Sequence, residues 1–407
     1  MTSMAALTAL AWHAASLAFP VLISISIVYS ILVLVRVALF RLPGKPDGAF
    51  MPPMTLLKPI CGLEPEPVLY DCLRSFCEQD YPNCQIVFGV RRPDDPAIAV
   101  IERLIRDMPH LDATSIVDGR VYGANRKLSN LSNMYEAARH DILVSADADG
   151  RVGPEYLRSV VAPFADERVG AVTCLYVGKA QKGLWSALGA DFINDLILPS
   201  VLVALAVGKL RFLFGNTMAV RRKALEDIGG FRGLTTHLAD DYLIGRWVSD
   251  RGMDVRLASC VVETVVSEPS LSSLFSHELR WGRTFRTVRP IGWTLSVLTD
   301  TTVLALLFLL LSGGQSLAVA LFAVAVIVRI GIHKMVRRRF GIDGADPLWL
   351  VPVRDLLSFA VRIASLFGRS LVWKKERFVV APTGHIETER RAPFASGVNE
   401  TESSPPA

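Results

Sequence analysis

Three pairs of neighbouring carboxylates in this 407-residue chain stand where the local pattern would let them do chemistry. Asp147 and Asp149 follow the run Ile142, Leu143, Val144 and Ser145, with one residue between them. At a strand end such a pair can aim together at a hard divalent cation, Mg2+ or Mn2+, which prefers oxygen ligands and would bridge a nucleotide diphosphate. The alternative is a plain turn, where Asp and Gly are favoured. Asp240 and Asp241 open a segment in which Leu243, Ile244, Trp247 and Val248 recur with helical spacing and Gly252 supplies a stop. Carboxylates in a first helical turn cap exposed N–H groups, or act as a base if a hydroxyl is brought against them. The helix dipole argues against a strongly raised pKa for Asp241. Asp94 and Asp95, in VRRPDDPAIAV, form the third pair. No P-loop, GxGxxG opening, HExxH or GxSxG is present, which removes other familiar phosphate, dinucleotide, zinc and serine chemistries.

The elements that must hold these groups lie in residues 46–290, where short β-type runs alternate with helical patterns. Residues 55–60, 85–90 and 142–145 read as buried parallel strands, with helices over 68–78, 97–106 and 130–139. That alternation predicts an α/β domain with a mostly parallel sheet and ligands beyond the C-terminal strand ends.

The chain is 51% hydrophobic yet 20% charged, which fits a soluble domain carried on membrane helices. Residues 1–35 hold no Asp, Glu, Lys or Arg, and 14–35 are long enough to span a bilayer as an uncleaved anchor. Arg36, Arg41 and Lys45 follow, so the positive-inside rule places the domain after the anchor in the cytoplasm. A second apolar zone, 291–332, turns at Gly313 and Gly314 and reads as a helical hairpin with basic residues at both ends. Residues 196–208 suit an interfacial or re-entrant piece. Residues 351–368 carry Arg354, Asp355 and Arg362 within about 100° of one another on a helix, so this piece either lies on the surface or packs by its polar side. The expected domains are thus an anchor (1–45), a cytoplasmic domain (46–290), membrane helices (291–372) and a cytoplasmic or disordered tail (373–407), the last part rich in Pro, Ser and Glu. The six cysteines lack metal-ligand spacing and are expected as free thiols. The net charge of +5 gathers beside the apolar runs, which suits anionic lipid and not nucleic acid.

Read in order, LLKPICGLEP, VRRPDDPAIAV, NRKLSN, SADADGRV, LADDY and HELRW resemble the ceramide glucosyltransferase-like family of membrane glycosyltransferases. The strings CLYVGKAQKGLWS, LPSVLV and HELRWGRTFR look closer to its bacterial branch associated with hopanoid biosynthesis. The resemblance implies a GT-A-like nucleotide-sugar-binding domain between N- and C-terminal membrane helices, a UDP-sugar donor and a lipid acceptor. It implies that Asp94 or Asp95 contacts the nucleoside, that Asp147 belongs to the metal and diphosphate site with Asp149 completing it, and that Asp241 is the acceptor-activating base while Asp240 caps or orients. Lys127 matches a basic position suited to a phosphate; a solvated lysine is the alternative. Arg280 and Trp281 match the family's (Q/R)xxRW pattern, with His277 in place of the usual Gln or Arg; the alternative is a helix packing Leu274, Leu279 and Trp281 inward. Direct displacement would invert the anomeric centre. The branch points to N-acetylglucosamine and a hopanoid, with glucose and ceramide second. A processive polysaccharide synthase and a scaffold with a degenerate sugar-binding domain are the rivals; few spans argue against the first, and the retained carboxylates against the second.

Overall fold

The computed structural model describes residues 4–388 apart from 45–47, 62–65, 369, 374–375 and 382–383. Lys45, the end of LLKPICGLEP and the tail from 389 on lie outside the described residues. Eight strands form one sheet: β1 (Met54–Ile60), β2 (Cys84–Val90), β3 (Asp112–Val117), β4 (Ile142–Ser145), β5 (Gly150–Arg151), β6 (Val169–Ala180), β7 (Met218–Arg221) and β8 (Asp254–Val266), in the order β3-β2-β1-β4-β7-β6-β8-β5. The expected strands β1, β2 and β4 pair in parallel, Thr55 standing opposite both Gln85 and Leu143. Their runs are apolar because both faces are covered: Leu56, Ile86 and Val144 enter one core, Leu57, Val87 and Leu143 the other. Antiparallel β7 separates β4 from β6.

The helix expected at 130–139 begins earlier, at Arg126–Tyr135. Asn125 caps it, its side chain accepting from the Leu128 N–H at 3.1 Å, and Leu128, Leu131 and Met134 fill the core beneath. This cap puts Lys127 in the first turn.

Ala18–Leu39 and Ser316–Phe340 are long and apolar enough to cross a membrane. The first arm of the expected hairpin is not straight: Pro290–Thr299 and Thr301–Leu311 meet at 59°. Asp300, at the bend, is buried against Arg362, and an ion in an apolar helix has to face its partner. The piece expected at 196–208 belongs to a longer helix, Leu184–Val207, whose first half carries Asp191, Asn194 and Asp195 and so interrupts the apolar run in sequence. Its length would suffice to cross, and its two flanks lead into β6 and β7, which are neighbours in the one sheet. Helix Leu350–Leu366 packs by its polar side: Arg354 pairs with Glu278 at 2.6 Å, Asp355 with Arg329 at 2.9 Å, and Arg362 with Asp300. Arg283 and Arg286 close its C-terminus, their guanidiniums donating to the carbonyls of Phe367 and Gly368, each at 2.8 Å. The expected tail boundary at 373 cuts a small antiparallel sheet of β9 (Ser370–Trp373), β10 (Glu376–Val380) and β11 (Ile386–Thr388). All six cysteines are free.

Candidate active site

Beyond the C-terminal end of β4 the chain turns through Asp147, and three further segments converge on that carboxylate. The first turn of Arg126–Tyr135 brings Lys127, whose Nζ lies 2.6 Å from Asp147 Oδ1 and 3.9 Å from Asp240 Oδ2. The start of helix Asp240–Asp250 brings Asp240 and Asp241. The loop before β7 brings Gly215, where a Cβ would sit among these groups, 3.1 Å from Asp147 Oδ2, 3.5 Å from Lys127 Nζ and 3.6 Å from Asp241 Oδ2, the first of these tighter than ordinary contact. Two carboxylates and an ammonium group thus lie close around the glycine.

The electrostatics follow from burial. Burial works to lower the Lys127 pKa, but the Asp147 and Asp240 carboxylates outweigh it and hold the ammonium above the ordinary lysine value. With its side chain 16% exposed, Lys127 is not a solvated lysine. Burial pushes Asp241 up to about 6, and neighbouring Asp240 adds to it while Lys127 opposes. Desolvation overrides the helix dipole that argued against a raised value. Burial likewise raises Asp240, against Lys127, and its Oδ2 has no hydrogen-bond donor. Capping does not account for this pair, since the N-cap is Ala239, although Asp241 Oδ1 accepts from the Tyr242 N–H at 2.7 Å.

Arg280, on helix Leu271–Val288, feels the same carboxylates: burial pulls its pKa down to about 10, and Asp147, Asp240 and Asp241 resist. His277 Nδ1 meets Glu268 Oε1 at 2.8 Å, and its ring meets Trp281 edge-on at 5.2 Å. Trp281 rests on Phe192 of the membrane-side helix, with centroids 5.8 Å apart. Asp149 follows on the same turn, where it and Asp147 both act on Lys58. Asp94 and Asp95 follow β2 beyond the same C-terminal strand ends but make local contacts: exposed Asp94 pairs with Arg92, and Asp95 Oδ1 accepts from the Ala97 N–H at 3.0 Å just before the helix Ala97–Asp107, whose N-cap is Pro96.

Lys58 was not foreseen. Fully buried in β1, it donates from Nζ to the Asp147 carbonyl at 2.6 Å and stands 3.5 Å from the centroid of the Phe76 ring. Burial pulls its pKa down to about 8, with Asp147 chief among the groups that oppose. A lysine in the middle of MTLLKPI was the available signal. Gly215 gave none, because its use depends on segments distant in sequence, whereas Asn125 opens NRKLSN as a preferred N-cap residue.

The donor set fits a divalent cation. Asp147 keeps a partly exposed carboxylate, and Asp149 follows it on the same turn, both oxygen donors of the kind a hard cation takes. Among the described residues another group, Asp191, Asp195 and His333, has ligand atoms within 4.8 Å of one another. Two of its members are already matched: Arg329 and His333 both bond Asp195, and the other His333 nitrogen meets Asp346 at 2.6 Å.

The sequence model of glycosyl transferase family 21 matches residues 18–386. Ceramide glucosyltransferase 1 of Caenorhabditis elegans is 23% identical over 365 residues, covering 87% of this chain and 78% of that protein. The beta-monoglucosyldiacylglycerol synthase of Trichormus variabilis is 27% identical over 180 residues, 43% of this chain and 37% of that protein. Among solved structures, a mannosyltransferase of Pyrobaculum calidifontis in complex with GDP-Man and Mn2+ superposes with a TM-score of 0.52 at 19% identity, over 88% of this chain and 98% of that one. That likeness speaks for the fold, which is GT-A-like.

Proposed function

The chain belongs to glycosyl transferase family 21 and is a glycosyltransferase, and from that premise we propose that it moves a sugar, with inversion, from a UDP-sugar to a lipid hydroxyl at the cytoplasmic face of a bacterial inner membrane. The convergence of Asp147, Lys127 and Asp241 around Gly215 carries this reading. Asp241, held near neutrality in its pKa, takes the proton from the acceptor hydroxyl as it attacks. Lys127 and Arg280 lie where negative charge accumulates on the departing diphosphate and stabilise it. Asp240 holds Lys127 from the other side. A divalent cation held by Asp147 and Asp149 would supply further charge neutralisation at the diphosphate. Asp94 or Asp95 and His277 are assigned to the donor side, and Trp281 to the wall between donor and membrane helix.

A hopanoid of the bacteriohopanetetrol type receiving N-acetylglucosamine is the substrate pair that the strings CLYVGKAQKGLWS and HELRWGRTFR support. A second reading, glucose to ceramide, draws support from the Caenorhabditis elegans relative. Membranes carrying the protein, assayed with a panel of UDP-sugars and extracted lipids and read by mass spectrometry of the lipid product, decide between them. A glucosylated ceramide selects the second; UDP-sugars left intact with every lipid overturn both.

A further inference from the structure

The strands β9–β11, at the end of the described chain, return to the catalytic face and touch two of the elements that supply its charges. On one side Leu238 donates its N–H to the Gly384 carbonyl at 3.2 Å, and Ile386 donates to the Thr236 carbonyl at 2.8 Å. His237 and His385 form a bridge between them, their rings 4.2 Å apart. Leu238, Phe378, Val380 and Ile386 close with Ala124 into a small buried cluster. The segment so held runs directly into Asp240 and Asp241. It is also gripped from behind: Asn125, cap of the helix that carries Lys127, donates from its N–H to the Thr235 carbonyl at 2.8 Å and from Nδ2 to the His237 carbonyl at 3.0 Å. On the other side β9 is tied to the helix of Arg280, where Arg283 donates to the Ser370 carbonyl and Thr287 lies against Gly384.

We propose that the C-terminal sheet is a positioning element for the transfer step, with Ile386 its central contact: it fixes the segment 236–239, and with it Asp241, relative to Arg280. A helix start held only by its own first turn frays readily, and displacements of about 1 Å at a reacting group cost on the order of 10²-fold. The segment preceding Asp241 has no cap side chain at Ala239 and takes its order from the flanking strand instead. The inference rests on the assignment of Asp241 as base.

The test uses the full chain in membranes. Ile386→Pro removes the donor to Thr236, Ile386→Ala removes packing from the cluster, and Ile386→Val preserves both. Turnover of the UDP-sugar that the lipid-product assay selects is measured beside UDP affinity and thermal stability. Ile386→Pro is expected to lower kcat at least tenfold with UDP affinity kept within threefold, Ile386→Ala to lower kcat less, and Ile386→Val to match the parent. Full turnover in folded Ile386→Pro overturns the proposal. So does a parallel loss of UDP binding and folded protein in Ile386→Pro and Ile386→Ala, which assigns the sheet to stability alone. Asp241→Asn run alongside separates the two claims: near-normal turnover there removes the base, whereas an inactive Asp241→Asn beside a fully active Ile386→Pro removes only the bracing.

Discussion

Replacing Asp241 by Asn keeps the shape of the side chain and removes its ability to take a proton. If Asp241 only served the helix start, the change would be nearly silent, because Asn serves there about as well as Asp. As the base, its loss should lower turnover by on the order of 10² to 10⁴ with UDP affinity intact. The structure adds a second, opposite effect on stability. Burial lifts the Asp241 pKa from 3.8 to about 6, so the fold prefers the neutral acid. Its unfavourable contribution is absent below about pH 4, grows as pH rises from 3.8 to about 6, and is constant above; at ~1.4 kcal/mol per tenfold it amounts to on the order of 1 to 3 kcal/mol at neutral pH. Asp241→Asn should therefore melt higher than the parent at pH 7.5 and lose that advantage near pH 4. In the parent, the ionised fraction falls from about 0.9 at pH 7 to about 0.1 at pH 5, so kcat should decline across that interval with a midpoint near 6. Melting curves and initial rates of UDP release across pH 4 to 8 test both parts. Near-normal turnover in Asp241→Asn with a large loss in Asp240→Asn would show that the wrong member of the pair was chosen. Near-normal turnover in both would leave the segment a helix start and nothing more.

Asp147→Asn is expected to abolish transfer and Asp149→Asn to impair it less; activity that survives chelation of divalent ions, measured as UDP release in excess EDTA, removes the cation. Lys58→Met should leave the strand packed but release the Asp147 carbonyl, lowering kcat roughly tenfold to a hundredfold by loss of positioning; unchanged kinetics would reduce Lys58 to a buried curiosity of β1. A reporter after residue 60 should be cytoplasmic and one at Gly313 and Gly314 outside, and finding residue 60 on the outer face would deny the site its nucleotide sugar.

The sheet was legible because parallel strands buried on both faces must be continuously apolar, and β1, β2 and β4 are. The carboxylates at Asp147 and Asp241 were legible as types and spacing. Their neighbourhood was not, because Lys127 reaches Asp147 only through a helix start set by Asn125, and Gly215 matters only for what would collide with a Cβ. The length of Leu184–Val207 was hidden for another reason: Asp195 looks like an interruption until Arg329 and His333, far along the chain, are seen to meet it. The expected tail boundary at 373 cut through β9–β11 because their order derives from contacts with the 236–239 segment and with Arg283.

The polar side of helix Leu350–Leu366 bears on how the protein is made. Arg354, Asp355 and Arg362 each pair with a residue synthesised earlier: Glu278, Arg329 and Asp300. As the ribosome releases this segment, all three counter-ions already exist; Arg329 can already meet Asp195, whereas Glu278 and Asp300 await Arg354 and Arg362. Three charges on a short apolar helix oppose its entry into lipid alone, each by roughly 2.5 to 3.5 kcal/mol at mid-bilayer. A helix charged in this way is expected to dock onto the surface that the earlier segments present, where Glu278, Arg329 and Asp300 neutralise it.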